Sequence, residues 1–168
     1  MKQDDKPSLL ITGNSNVGKS SITKLLLPKK AYKGKTGKTP GSTLLIKEIN
    51  SPYLPFQIVD LPGFGYMKKA SKRREEHIKQ SVVNHIERNY ESYFLGLVVL
   101  NVLRIEDELD KYYIEKKQTI PLTFELITFL REFDIPVLII INKMDKVSIF
   151  DERRIIDFLV KAARNYGI

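Results

Sequence analysis

Gly13-Asn14-Ser15-Asn16-Val17-Gly18-Lys19-Ser20 follows the apolar run Leu9-Leu10-Ile11 and precedes Ile22 and Leu25-Leu26-Leu27, and it has the form G-x-x-x-x-G-K-[ST]. A buried strand that ends in a glycine turn and opens a helix aims unpaired N–H groups and the positive helix end at one point. That arrangement is a cradle for phosphate oxygens. In it Lys19 reaches the β- and γ-phosphates, and the Ser20 hydroxyl takes a Mg²⁺ position, because this hard ion prefers oxygen ligands and shares them with phosphate. Gly13 and Gly18 carry no Cβ to hold the backbone away from a nucleotide. Asn14, Ser15, Asn16, Val17 and Ser21 complete the candidate contacts. A loop alone could be a glycine turn with a solvated lysine, but the strand before it and the helix after it argue for chemistry.

Asn142-Lys143-Met144-Asp145 stands after the aliphatic run 137–141. A carboxylate there can accept both N1–H and N2–H₂ of guanine. Adenine has no donor at N1 and would leave the charge unpaired, which is a strong ground for rejection. Asn142 would tie this loop to the phosphate loop, and the Lys143 stem would cover the flat face of the base. Ligands gather at the carboxyl edge of an open parallel sheet, so the position after a strand strengthens the reading. Asp60-Leu61-Pro62-Gly63 ends another apolar run. Its carboxylate would hold Mg²⁺ through water and the Gly63 N–H would sense the γ-phosphate, although an aspartate before Pro-Gly can also start a turn. A threonine completes the metal shell; Thr43, just before a strand, is the first candidate and Thr39 the second. The candidate catalytic residues are Lys19, Thr43 and Gly63, and the candidate metal ligands are Ser20, Thr43 and Asp60.

Apolar runs alternate with amphipathic stretches, the pattern of an α/β domain with a mostly parallel sheet. Strands are predicted at 9–12, 44–49, 56–60, 96–102 and 137–142. The turn Asn50-Ser51-Pro52-Tyr53 makes the second and third an antiparallel hairpin. Helices are predicted at 18–27, stopped by Pro28, and at 73–90, 122–133 and 152–166. The last has Asp151 as N-cap, Gly167 as its stop, and Ile155, Ile156, Leu159, Val160 and Ala163 facing inward. The run 28–41 reads as a long functional loop. The segment 103–119, with Glu106, Asp107, Glu108 and Asp110, reads as an irregular solvated insertion.

The 168 residues, 42% of them hydrophobic, suit a single domain with a real core. The absence of cysteine excludes disulfides, thiolate zinc sites and cysteine nucleophiles. The two histidines, His77 and His85, read as ordinary helix residues. No apolar run is long enough to span a bilayer and the N-terminus lacks a signal peptide, so a soluble cytoplasmic protein is expected. The formal charge of +8, from 28 Lys and Arg against 20 Asp and Glu, is concentrated in Lys29, Lys30, Lys33, Lys35 and Lys38 and in Lys68, Lys69, Lys72, Arg73 and Arg74. Such clusters could hold RNA phosphates or be a solvated face.

The ordered set G-N-S-N-V-G-K-S-S at 13–21, T-P-G-S-T at 39–43, D-L-P-G-F-G-Y at 60–66 and N-K-M-D-K at 142–146 resembles the EngB family among the translation-factor-class GTPases. The resemblance implies a Ras-like P-loop NTPase fold of three α/β/α layers with one antiparallel strand, spanning residues 1–168 as one G domain. It also implies binding and hydrolysis of GTP with Mg²⁺ in large ribosomal subunit assembly, with division and septum assembly as the alternative. The partner implied is the ribosomal large subunit or its RNA, bound by a monomer; neither DNA nor membrane is expected. A third possibility is a basic RNA-binding module that uses nucleotide only structurally. Two departures stand out. Family members continue into a further strand and helix carrying a guanine-contacting loop, so the C-terminal end is expected to be truncated and the strand at 137–141 to be an open edge. The segment 103–119 is also longer than usual. Phe64 occupies the position where many signalling GTPases orient water with glutamine, so intrinsic hydrolysis is expected to be slow, with a partner or ion supplying a gain on the order of 10³ to 10⁵. Asn16 resembles the asparagine that lets some GTPases bind K⁺ beside the phosphates.

Overall fold

Leu9, Leu10 and Ile11 are all buried, as a strand covered on both faces requires. The structure, a computed structural model, describes residues 6–28, 45–63, 72–113 and 120–168. The central strand β1 (Ser8–Gly13) runs parallel to β3 (Gln57–Asp60) on one side and to β4 (Tyr93–Asn101) on the other. Next to β4 lies β5 (Val137–Asn142), also parallel, and the hairpin partner β2 (Lys47–Ile49) lies antiparallel against β3. The sheet order is β2-β3-β1-β4-β5. The helices are α1 (Lys19–Leu26), α2 (Lys72–Asn89), α3 (Val102–Tyr113), α4 (Leu122–Glu132) and α5 (Ile149–Asn165).

Alternate strand residues feed two cores. Leu10, Val59 and Val98 join Val82 and Ile86 of α2, Ile105 and Leu109 of α3, Phe124 and Ile127 of α4, and Ile155 and Leu159 of α5. Leu9, Ile11, Ile58, Leu97 and Val99 point the other way, where α1 is the one described helix that contributes, through Ile22 and Leu26. Burying each such aliphatic side chain is worth about 2 kcal/mol. Both sets must be satisfied at once, so a one-residue slip of β1 would reverse every contact. The parallel register pairs Ile11 with Asp60, Gly13 with Val99 and Asn101 with Asn142. It therefore brings the ends of β1, β3 and β5 to one rim of the sheet.

The expected mostly parallel sheet with one antiparallel hairpin is present, while four local expectations are corrected. The segment from 103 begins as helix α3 rather than irregular chain, because Val102, Ile105 and Leu109 are buried at helical spacing and hold one face on the core. Helix α5 starts earlier, with Ser148 as its N-cap: the Ser148 Oγ accepts from the Asp151 N–H at 3.2 Å and donates to Asp151 Oδ2 at 2.7 Å. Asp151 thus lies in the first turn, where its carboxylate suits the helix dipole. Val160 is exposed and Ala162 takes the inward place beside Leu159. Strand β2 includes neither Leu45 nor Ile46. The expected loop at 29–41 and the position of Leu44 lie outside the described residues.

Candidate functional site

Gly18 caps α1 in the left-handed region, at φ 107°, without offering a side-chain oxygen to the first-turn N–H groups. The Ser21 N–H turns to the Gly18 carbonyl at 2.9 Å, and a helix N-terminus without a side-chain cap suits an anion. Gly13, at φ 136°, and Gly18 are required by close approaches within the protein: a Cβ at Gly13 would collide with the Val99 carbonyl oxygen, and one at Gly18 with the Asn142 side-chain amide. The glycines thus seat the loop on β4 and on the end of β5, a constraint beyond making room for nucleotide. Between them Asn16 adopts φ 64° without being glycine.

Lys19 is 7% exposed and its ammonium donates to the carbonyls of Gly13 and Asn14, both at 2.9 Å. Burial lowers its pKa to about 8, and the charge of Asp60 opposes that fall. Asp60, 2% exposed at the end of β3, has its pKa raised by burial, with Lys19 and Lys47 opposing. Its Oδ1 is buried and has no hydrogen-bond partner among the described residues. An unpartnered carboxylate oxygen beside Lys19, whose chain neighbour Ser20 is half-buried, belongs to a donor set that fits a hard divalent cation or its coordinated water. Both buried charges are under-compensated in the protein alone, and a polyphosphate with its cation would relieve both.

Leu61 and Pro62 are buried, and Gly63 lies against the loop: the Ser15 Oγ donates to the Gly63 carbonyl at 3.4 Å, and a Cβ on Gly63 would stand 2.7 Å from that hydroxyl. The Asn142 amide donates to the Val17 carbonyl at 2.8 Å, while its Oδ1 accepts the Lys143 N–H at 2.8 Å. Lys143, itself at φ 66°, donates from Nζ to the Asn16 carbonyl at 3.0 Å. Asp145 follows in a single 3-10 turn, exposed, with one carboxylate oxygen 3.0 Å from the Lys146 ammonium. Its carboxylate can accept two donors on the edge of a base; Met144 packs against the core beneath.

The structure therefore brings together residues 13–21, Asp60 to Gly63 and Asn142 to Asp145. Thr39, Thr43 and Phe64 lie outside the described residues, as do Lys29, Lys30, Lys33, Lys35, Lys38, Lys68 and Lys69. Two neighbours were not foreseen. Glu108 of α3 accepts a hydrogen bond from the Asn14 side-chain amide and, at 3.4 Å, from the Thr123 hydroxyl of α4. Separations of 94 and 15 positions leave no local signal for either contact. Among the described residues no cluster of three His, Asp or Glu side chains could hold a metal, and no helix is long and apolar enough to cross a membrane.

A phosphate loop, a strand-end aspartate and an N-K-x-D loop on one rim define the P-loop GTPase class. Residues 8–143 match the family described as 50S ribosome-binding GTPase. A crystal structure of a probable GTP-binding protein EngB superimposes with a TM-score of 0.74 at 32% identity, covering 94% of this chain and 80% of that one. The chain belongs to the EngB family of GTP-binding GTPases. It is 33% identical over 159 residues to the probable GTP-binding protein EngB of Methanococcus aeolicus, covering 95% of this chain and 67% of the relative. Against that of Pyrococcus horikoshii the identity is 35%, covering 92% and 67%, and against that of Methanococcus maripaludis 33%, covering 88% and 61%. The chain thus spans about two thirds of the length of these curated relatives. A septin GTPase domain from Chlamydomonas reinhardtii, at 15% identity and a TM-score of 0.52, shares the fold alone.

Proposed function

We propose that this protein is a guanine-nucleotide switch that binds GTP with Mg²⁺, hydrolyses it slowly and, in its GTP state, engages the large ribosomal subunit during assembly. The observation that carries the nucleotide part is the Asn142 amide on the Val17 carbonyl, which clamps the N-K-M-D loop to the phosphate loop. Phosphate contacts and a guanine-selective carboxylate then belong to one rigid unit. Lys19 turns from the Gly13 and Asn14 carbonyls to the β- and γ-phosphates, where an anion offsets the burial that lowers its pKa to about 8. Ser20 and Asp60 would hold Mg²⁺, with Thr43 as the expected third protein ligand. Bound there, the cation would supply charge neutralisation for the departing diphosphate. The Gly63 N–H reads the γ-phosphate, and Asp145 reads guanine N1–H and N2–H₂.

Phe64 cannot orient water as a glutamine would, so turnover is expected to be slow until a partner or an ion assists. K⁺ beside Asn16 is the ion expected to stimulate; equal turnover in matched Na⁺ and K⁺ buffers removes it. The ribosomal part rests on family membership and on the basic clusters at 29–38 and 68–74. Sedimentation of the protein with 50S subunits tests it: co-migration should be stronger with a non-hydrolysable GTP analogue than with GDP. Salt alone should weaken both states together. Binding indifferent to nucleotide would reduce the protein to a basic RNA-binding module.

A further inference from the structure

The acidic stretch of α3 has no part in the nucleotide contacts described above, yet one of its carboxylates reaches the phosphate loop. Val102, Ile105 and Leu109 anchor α3 in the core. That anchoring presents Glu108, half-buried between them and the loop, to Asn14 and to Thr123 at the start of α4. Asn14 is the residue whose backbone carbonyl holds the Lys19 ammonium at 2.9 Å. Its neighbour Ser15 reaches the Gly63 carbonyl. A single side-chain bond at Asn14 therefore fixes the stretch of loop from which Lys19 and the Asp60 to Gly63 segment are both held.

We infer that Glu108 is a positioning residue for the phosphate loop: by accepting the Asn14 amide while braced by Thr123, it sets the loop geometry that receives the nucleotide phosphates. A carboxylate accepting an amide N–H is stronger than a neutral pair, so it can fix a loop that carries two glycines and the strained Asn16. Glu108 touches no phosphate in this scheme and acts only through Asn14. Its removal should raise the KM for GTP and weaken GDP while leaving kcat nearly unchanged, since the reacting groups remain and only their placement before binding is lost.

The inference rests on the phosphate loop being the GTP cradle, and a donor–acceptor exchange in the full chain separates the two. Asn14→Asp sets two carboxylates face to face and should raise the KM for GTP about tenfold. Adding Glu108→Gln restores the bond with its direction reversed, because the glutamine amide donates to the new aspartate. KM should fall at least about threefold below that of Asn14→Asp alone, without reaching the parent value, because residue 14 is itself a candidate phosphate contact. Thermal melting of both nucleotide-free variants is followed in parallel. Recovery of KM with little change in melting temperature between single and double variant supports the positioning role, whereas a double variant no better than Asn14→Asp overturns it. Should Asn14→Asp not fold, Asn14→Ala and Glu108→Ala replace it. A double alanine variant no weaker for GDP than the worse single supports the coupling, and losses that multiply overturn it. A parent protein that fails to bind GDP would instead overturn the nucleotide reading itself.

Discussion

Gly18 meets two demands at once, a φ of 107° and the side-chain amide of Asn142 against its α-carbon. An alanine there must strain its backbone and push Asn142 off the Val17 carbonyl. Gly167 has the first demand without the second: its φ is 72°, but among the described residues nothing lies within 4 Å of a Cβ. Gly18→Ala is therefore expected to lower stability by about 2 kcal/mol or more and to weaken GDP at least tenfold, whereas Gly167→Ala should cost about 1 kcal/mol and leave GDP affinity alone. Chemical denaturation with calorimetric GDP titration checks both, and equal GDP affinity in the two variants would contradict the account. The glycines were legible in the sequence as a phosphate-loop pattern, and Asn142 as the tie between two motifs. What touches Gly13 was not, because Val99 belongs to a strand whose register is fixed only by the assembled sheet.

Among the elements, α2 carries a titratable group that the packing makes costly to charge. His85 Nε2 is buried and, among the described residues, has no hydrogen-bond partner; it lies 4.0 Å from a Glu48 carboxylate oxygen of β2 and beside the Tyr93 ring of β4. Burial lowers its pKa below the ordinary 6.5, and Glu48 opposes the shift. Above pH 6.5 the imidazole is neutral in both folded and unfolded chains. As pH falls below that value the unfolded chain takes up the proton first, so stability is lost down to the folded-state pKa. His85→Gln should flatten this part of the profile: between pH 7 and pH 5.5 the parent should lose about one or two degrees more of melting temperature than the variant. Parallel profiles would exclude His85 as the source. The strands of the sheet and the bounds of α1 and α4 were readable to within a few residues, because apolar periodicity marks them, Pro28 stops α1 and Pro136 follows α4. Helix α3 escaped because charges dominate its composition, although Val102, Ile105 and Leu109 keep a helical beat. Helix α5 was started late because Ile149 and Phe150 of its first turn are exposed, so burial periodicity begins only after Ser148 has already capped the helix.

Across the molecule, nucleotide binding couples elements that the chain keeps far apart. The phosphate loop leaves β1, Asp60 ends β3 and Asn142 ends β5, so a bound guanine nucleotide spans most of the sheet from one rim. The strands that end there feed both hydrophobic cores, and Arg154 of α5 pairs with Glu106 of α3. A ligand on that rim stabilises the folded chain as a whole rather than a local loop, because any unfolding of β1, β3 or β5 destroys its contacts. With GDP at a hundred times its dissociation constant the linkage gain is about 2.7 kcal/mol. For a domain of this size that corresponds to a rise in melting temperature of roughly 5 to 10 °C. ADP at the same concentration should produce almost none of it, since Asp145 would face an adenine without a donor at N1. Melting curves in GDP, in ADP and in GDP with Asp145→Asn decide the point. A shift with ADP equal to that with GDP would show that the rim grips phosphates without reading the base.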